Sequence, residues 1–138
     1  MKLAETYKIE EEGYHPFLIS EGWQVAQLNY LDELHIKNIK KIEVHFQTDE
    51  VFLLLKGKAV LILAEILEDE PIFELERMKS NVIYNVPKNT WHTIAMEEGS
   101  EVLIVEKSNT HLADFEYKYL SANKLDELRI NVEQTLGN

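Results

Sequence analysis

The sequence predicts an all-β fold, a sandwich or barrel closed by one C-terminal helix. Two observations predict it. Short apolar runs recur about every ten residues between Trp23 and Val105, with turn signals between them, as packed strands require. Only after Ser121 does the apolar spacing become helical, with Leu125, Leu128 and Val132 three and four residues apart.

In chain order, Gly22 opens Trp23 to Leu28, which alternates well enough for a strand. From Ile42 to Phe46 the alternation is cleaner: Ile42, Val44 and Phe46 point one way, and Glu43, His45 and Gln47 the other. Glu50 to Leu55 and Ala59 to Ala64 are two apolar runs joined by Lys56-Gly57-Lys58, which predicts a hairpin. Leucine-rich runs such as Leu53 to Leu67 also suit a buried helix; Gly57 and the short run lengths favour strands. Glu68 to Pro71 is a turn, with a strand over Ile72 to Leu75. Val82 to Val86 is a strand ending at Pro87, and Val102 to Val105 follows the turn at Glu97 to Ser100. Ser121 can cap a helix over about 121–135, with Gly137 near its end.

A chain of 138 residues fits one domain, expected over 1–138. It contains no cysteine, which excludes disulfides, thiolate metal sites and cysteine nucleophiles. With 25 acids against 14 bases the net charge is −11. Such a surface repels phosphate backbones and anionic lipid, so neither a nucleic acid nor a membrane is an expected partner. Met1 to Ser20 lacks the apolar segment of a signal peptide, and Val51 to Leu67 is too interrupted to span a bilayer. A cytoplasmic protein is expected.

Of the five histidines, His15, His35 and His111 stand in polar surroundings and read as structural or solvated. His45 differs because Glu43 lies two residues before it. On a strand the two project from one face about 6.6 Å apart, within reach of a shared ion, and Glu50, opening the next strand, can return to that face. Imidazole and carboxylate together suit Fe²⁺, Mn²⁺, Zn²⁺ or Ni²⁺. A charged face of an amphipathic strand would look similar. No Ser-His-Asp set or phosphate-binding glycine loop is present.

The whole pattern from Ile42 to Val105 resembles the cupin superfamily. Its first motif, Gly-x5-His-x-His, three or four residues, then Glu-x6-Gly, appears as Glu43-Val-His45-Phe-Gln-Thr-Asp-Glu50 with Gly57 following. Its second, Gly-x5-Pro-x-Gly-x2-His-x3-Asn, appears as Pro87-Lys-Asn89-Thr-Trp-His92. Glu43 replaces the first metal histidine, Lys37 the first glycine and Met96 the last asparagine. Asn81 and Asn89 stand where glycines are expected; asparagine tolerates the left-handed conformation those positions need. The motif core covers about 39–107.

The resemblance implies a double-stranded β-helix, or jelly-roll barrel, with a divalent metal held by Glu43, His45, Glu50 and His92 inside one end. Glu43 is either a ligand or, beside the ion, a general base. Trp91, Phe52, Tyr84, Leu54 and Met96 are candidates for the pocket wall or else for the core, and Gln47 is a polar neighbour on the ligand face. The family spans isomerases, epimerases, oxygenases and plain ligand binders. The expectation is therefore a metal-dependent enzyme, of isomerase, epimerase or oxygenase type, on a small polar metabolite such as a sugar derivative or an oxo acid. The alternative is a non-catalytic ligand-binding barrel with a structural ion or none. A homodimer is the expected assembly.

Overall fold

A computed structural model of the chain describes residues 2–137. Ten strands are arranged as two five-stranded antiparallel sheets. They are β1 (Gly13–Ile19), β2 (Gln24–Asn29), β3 (Lys41–Val44), β4 (Glu50–Lys56), β5 (Ala59–Leu67), β6 (Glu70–Arg77), β7 (Ile83–Val86), β8 (Trp91–Met96), β9 (Glu101–Glu106) and β10 (Glu116–Tyr119). One sheet has the order β1-β2-β9-β4-β7 and the other β10-β3-β8-β5-β6. Helices are few: a 3-10 turn at Asp32–Leu34, the one-turn α1 (Thr110–Ala113) and α2 (Ala122–Leu136).

Two cores hold these layers. Between the sheets, Leu28, Phe52, Leu54, Leu61, Met96, Val102 and Ile104 interlock. On the outer face of the second sheet, Ile42, Val60, Ile62 and Ala95 pack against Leu128, Val132 and Leu136 of α2. The second sheet is therefore covered on both faces, which accounts for the unbroken apolar run Ala59 to Ile62, all buried. A strand buried on both sides has no reason to alternate, and the helix-like look of Leu53 to Leu67 ends there. The Ser121 hydroxyl accepts from the Lys124 N–H at the start of α2, and Gly137 closes it in the left-handed conformation.

The turn at Gly57 corrects one expectation. β4 pairs with β7 and β9, whereas β5 pairs with β6 and β8, so the two strands form no hairpin. The chain instead crosses from one sheet to the other. Ser100 packs so closely that a Cβ on Gly57 would lie 2.7 Å from the Ser100 Cα, and the glycine φ is +87°. The hairpin in this region is β5–β6. Its turn residues Glu68 and Asp69 both have positive φ, the conformation that matches the twist of paired strands. Asn81 and Asn89 likewise adopt φ of 66° and 67°.

Candidate metal centre

β3 ends at Val44, two residues short of Phe46, where the alternation in the sequence would carry it. Ile42 and Val44 face the core, but His45 is buried as well and Phe46 turns outward. The chain bends here because a distant residue takes hold of it. The Asp114 carboxylate accepts from the backbone N–H groups of Phe46 (3.0 Å) and Gln47 (3.0 Å), and the Asp114 carbonyl accepts from His45 Nδ1 at 2.6 Å. Gln47 is thus held at the surface by its backbone, away from the cavity. The second motif is tied to the first by Asn89 N–H donating to the His45 carbonyl at 2.7 Å. Asp49 adds to the tie, accepting from Lys88 N–H and the Asn85 amide.

These ties bring together Glu43 and His45 around the end of β3, Glu50 at the start of β4 and His92 in β8. Each offers one ligand atom, and the four atoms all lie within 4.8 Å of one another. Glu43 and His92 are direct cross-strand partners. His92 Nε2 lies 2.7 Å from Glu50 Oε1 and 3.9 Å from Glu43 Oε1, while His45 Nε2 lies 3.3 Å from Glu50 Oε1. That last contact lacks hydrogen-bond geometry, and His45 Nε2 is buried with no partner. Three of the four residues are almost wholly buried; the Glu43 side chain keeps 35% of its surface.

The electrostatics match a cation. His92 Nδ1 donates to the Thr90 carbonyl at 2.9 Å, as His45 Nδ1 does to Asp114. Both rings thereby turn Nε2 toward the carboxylates, the arrangement by which outer hydrogen bonds fix a ligand imidazole. Burial opposes charge on Glu50, but His45 and His92 outweigh it and hold the carboxyl down at about 2. Burial also opposes charge on His45, yet Glu50 pushes the ring up to about 9, and His92 is raised by the same balance. Glu43 is pushed up by burial and then by the charge of Glu50. The carboxylates therefore stabilise positive charge on both rings, and a divalent ion supplies equivalent charge at one point. The donor set, two imidazoles and two carboxylates with one nitrogen left unpaired, fits such an ion.

The four residues line a cavity of about 330 Å³, within the size range of small-molecule sites. Its wall differs from the expected one. Phe52 is there, but Leu54 and Met96 belong to the inter-sheet core, Tyr84 packs against that core, and Trp91 packs in the outer one. In their place stand Tyr14, Leu28, Leu34, Ile104, Phe115 and Tyr117. His111 and Glu106 also line the cavity. Glu106 is the cross-strand partner of Glu50, and it is pushed up to about 8 by burial and then by that neighbour's charge. The alternation of β9 could have flagged an acid at the end of an otherwise apolar strand. His111 comes from the segment after β9, where no local signal points to the site.

No protein-family model matches the chain, and no curated protein matches its sequence. Solved structures do. One from Bacillus halodurans is 11% identical and covers 86% of this chain and 84% of its own, with a TM-score of 0.57. Streptomyces Pac13, described as a β-barrel and a nucleoside dehydratase, is 13% identical over 87% of this chain and 97% of its own, with a TM-score of 0.56. A variant of it was solved with uridine. A cupin protein from Bacteroides fragilis is 14% identical over 81% of this chain and 90% of its own, with a TM-score of 0.50. At these identities the likeness is one of architecture, and on it the chain has the cupin fold.

Proposed function

We propose that the chain is a metal-dependent enzyme acting on a small polar metabolite, with Glu43, His45, Glu50 and His92 holding a divalent ion. The observation that carries this reading is the buried His45 Nε2, which makes no hydrogen bond and is aimed at two carboxylates by a ring whose other nitrogen is already committed to a backbone carbonyl. The 3.3 Å contact with Glu50 compensates that nitrogen only in part, and coordination would complete it. Neutral imidazole and carboxylate donors suit Fe²⁺, Mn²⁺, Zn²⁺ or Ni²⁺.

A bound divalent ion supplies Lewis-acid chemistry, polarising a substrate oxygen and stabilising negative charge that develops on it. The chain's own residues do the rest. His45, Glu50 and His92 are the buried anchors. Glu43 is the member with exposed surface toward the cavity, and its raised pKa suits a carboxylate that accepts a substrate proton. Leu28, Phe52, Ile94 and Ile104 form a dry wall that strengthens every charge interaction inside. Isomerase or epimerase chemistry needs only this proton movement; oxygenase chemistry needs Fe²⁺ in addition. That Pac13, of the same fold, is described as a nucleoside dehydratase and was solved with uridine supports a small organic molecule as the ligand.

A non-catalytic reading rests on the same four donors, which complete a tetrahedral shell if Glu43 coordinates. Elemental analysis of protein purified without chelator, followed by thermal-shift titration with Mn²⁺, Fe²⁺, Zn²⁺ and Ni²⁺, tests the proposal. Bound metal and a raised Tm are expected. A protein that carries none and gains nothing from any of the four refutes it.

A further inference from the structure

Beyond the metal cluster, the cavity has a second polar end. Gln24, wholly buried, is its hub: its Nε2 lies 3.1 Å from Glu106 Oε1, 3.1 Å from the Tyr14 hydroxyl and 3.2 Å from His111 Nδ1. Its own Oε1 accepts from the Asn109 N–H at 2.8 Å, which fixes the amide's orientation. Tyr14 donates to Glu106 Oε1 at 2.7 Å. Glu106 keeps only 6% of its surface, and its second oxygen, Oε2, is buried without a hydrogen-bond partner. Buried carboxylate oxygens are rarely left so. Between the two polar ends the wall is apolar, from Leu28, Phe52 and Ile104.

Glu43, Glu50 and Glu106 face the cavity, and among the described residues of the wall there is no lysine or arginine. The positive charge that His45 and His92 carry is already paired with Glu50. The nearby cation, Lys41, does not line the cavity; its Nζ lies over the Tyr117 ring, 3.8 Å from its centre. Burial beside Glu50 holds Glu106 largely protonated, so a divalent ion would be balanced by Glu43 and Glu50 and no surplus positive charge is left to receive an anion. Sites for phosphate or carboxylate groups place guanidinium, ammonium or helix N-termini around them, and this wall offers none.

We infer that the cavity takes an uncharged molecule bearing hydroxyl groups at both ends, one end at the metal cluster and the other at Glu106 and His111, and that it rejects phosphorylated and carboxylated counterparts. This narrows the proposed function, on which it rests for the metal-facing end. Of the two metabolite types expected from the sequence, it favours the sugar derivative over the oxo acid. A ligand hydroxyl would pair with Glu106 Oε2, which the fold leaves without a hydrogen bond, whereas an anion would find no lysine, arginine or helix N-terminus at either end.

The test is a matched panel of pentoses, hexoses, polyols and nucleosides, each paired with its phosphate ester and, for the sugars, its aldonic or uronic acid. Binding to the full chain is measured by thermal shift and calorimetry, both loaded with Mn²⁺ or Zn²⁺ and after chelation. Neutral members should bind, with their anionic counterparts at least about tenfold weaker. Glu106→Gln, which keeps an oxygen for Tyr14, should weaken the neutral binders about tenfold while metal content stays the same. An anionic member binding as tightly as its neutral partner would overturn the inference, as would a panel in which no neutral member binds. If the protein binds no metal but the chelated form still prefers neutral members and loses them in Glu106→Gln, the metal reading fails and the ligand class stands.

Discussion

Asp114 grips His45 twice, through its carbonyl on the ring and through its carboxylate on the two N–H groups that follow. Outer contacts of this kind typically govern metal affinity by about 10- to 100-fold. Asp114→Ala should therefore weaken Zn²⁺ binding by about that factor in calorimetric titration, with Asp114→Asn intermediate because its amide oxygen still accepts one N–H. An unchanged affinity would show that the ring is held by packing alone. Protons compete for the same atoms. His45 has a folded pKa of about 9 against an ordinary 6.5, so the stability it contributes is complete below pH 6.5 and is lost as pH rises toward 9. Glu106, raised to about 8, acts in the same direction from pH 4.5 upward. Chelated protein should thus melt at a lower temperature at pH 9 than at pH 6, while the gain in Tm from added metal should grow over that interval. A gain that shrinks with pH would contradict proton–metal competition at His45. That Glu43, His45, Glu50 and His92 come together could be anticipated from the sequence, because spacing and a two-motif pattern converge on them. His111 and Asp114 could not, because each reaches the site through contacts more than 50 residues away along the chain, and Glu106 left only the trace of an acid ending an apolar strand.

At the scale of elements, most strands were legible from their apolar runs and turns, and α2 from its cap and period. What the local pattern hides is which sheet a strand joins. β4 and β5 look like a hairpin because a short glycine turn separates them, and only the packing of Ser100 against Gly57 shows the crossing between sheets. Gly57→Ala places a Cβ against Ser100 at a φ that alanine avoids. It should cost about 2 kcal/mol or more in urea unfolding; a loss below about 0.5 kcal/mol would mean that the crossing relaxes freely. At the other end, Ser121→Ala removes the cap of α2 and should cost about 1 kcal/mol. Because α2 covers the outer face of the second sheet, the same variant should loosen the helix without emptying the cavity, so metal affinity should hold.

The molecule as a whole presents its site at one end of two stacked sheets, with β1 and β7 at the edges of one and β10 and β6 at the edges of the other. Among the described residues no helix is long and apolar enough to cross a membrane. The edges carry exposed apolar residues, Ile19 beside β2 and Ile83 on β7 among them, and exposed edges invite pairing. Light scattering at micromolar concentration tests the expected homodimer, and a monomer would end that expectation without touching the fold. The jelly-roll architecture could be anticipated because motif spacing and strand texture agree; the ligand could not, since fold does not determine it. The central claim is that His45, Glu50 and His92, with Glu43, hold one divalent ion. The most direct measurement is metal content by elemental analysis of the wild type beside His45→Ala, His92→Ala and Glu43→His, all confirmed folded. The account predicts roughly one ion per chain in the wild type and in Glu43→His, and loss of most of it in the two alanine variants. Metal absent from the wild type, or retained in full by both alanine variants, would contradict it.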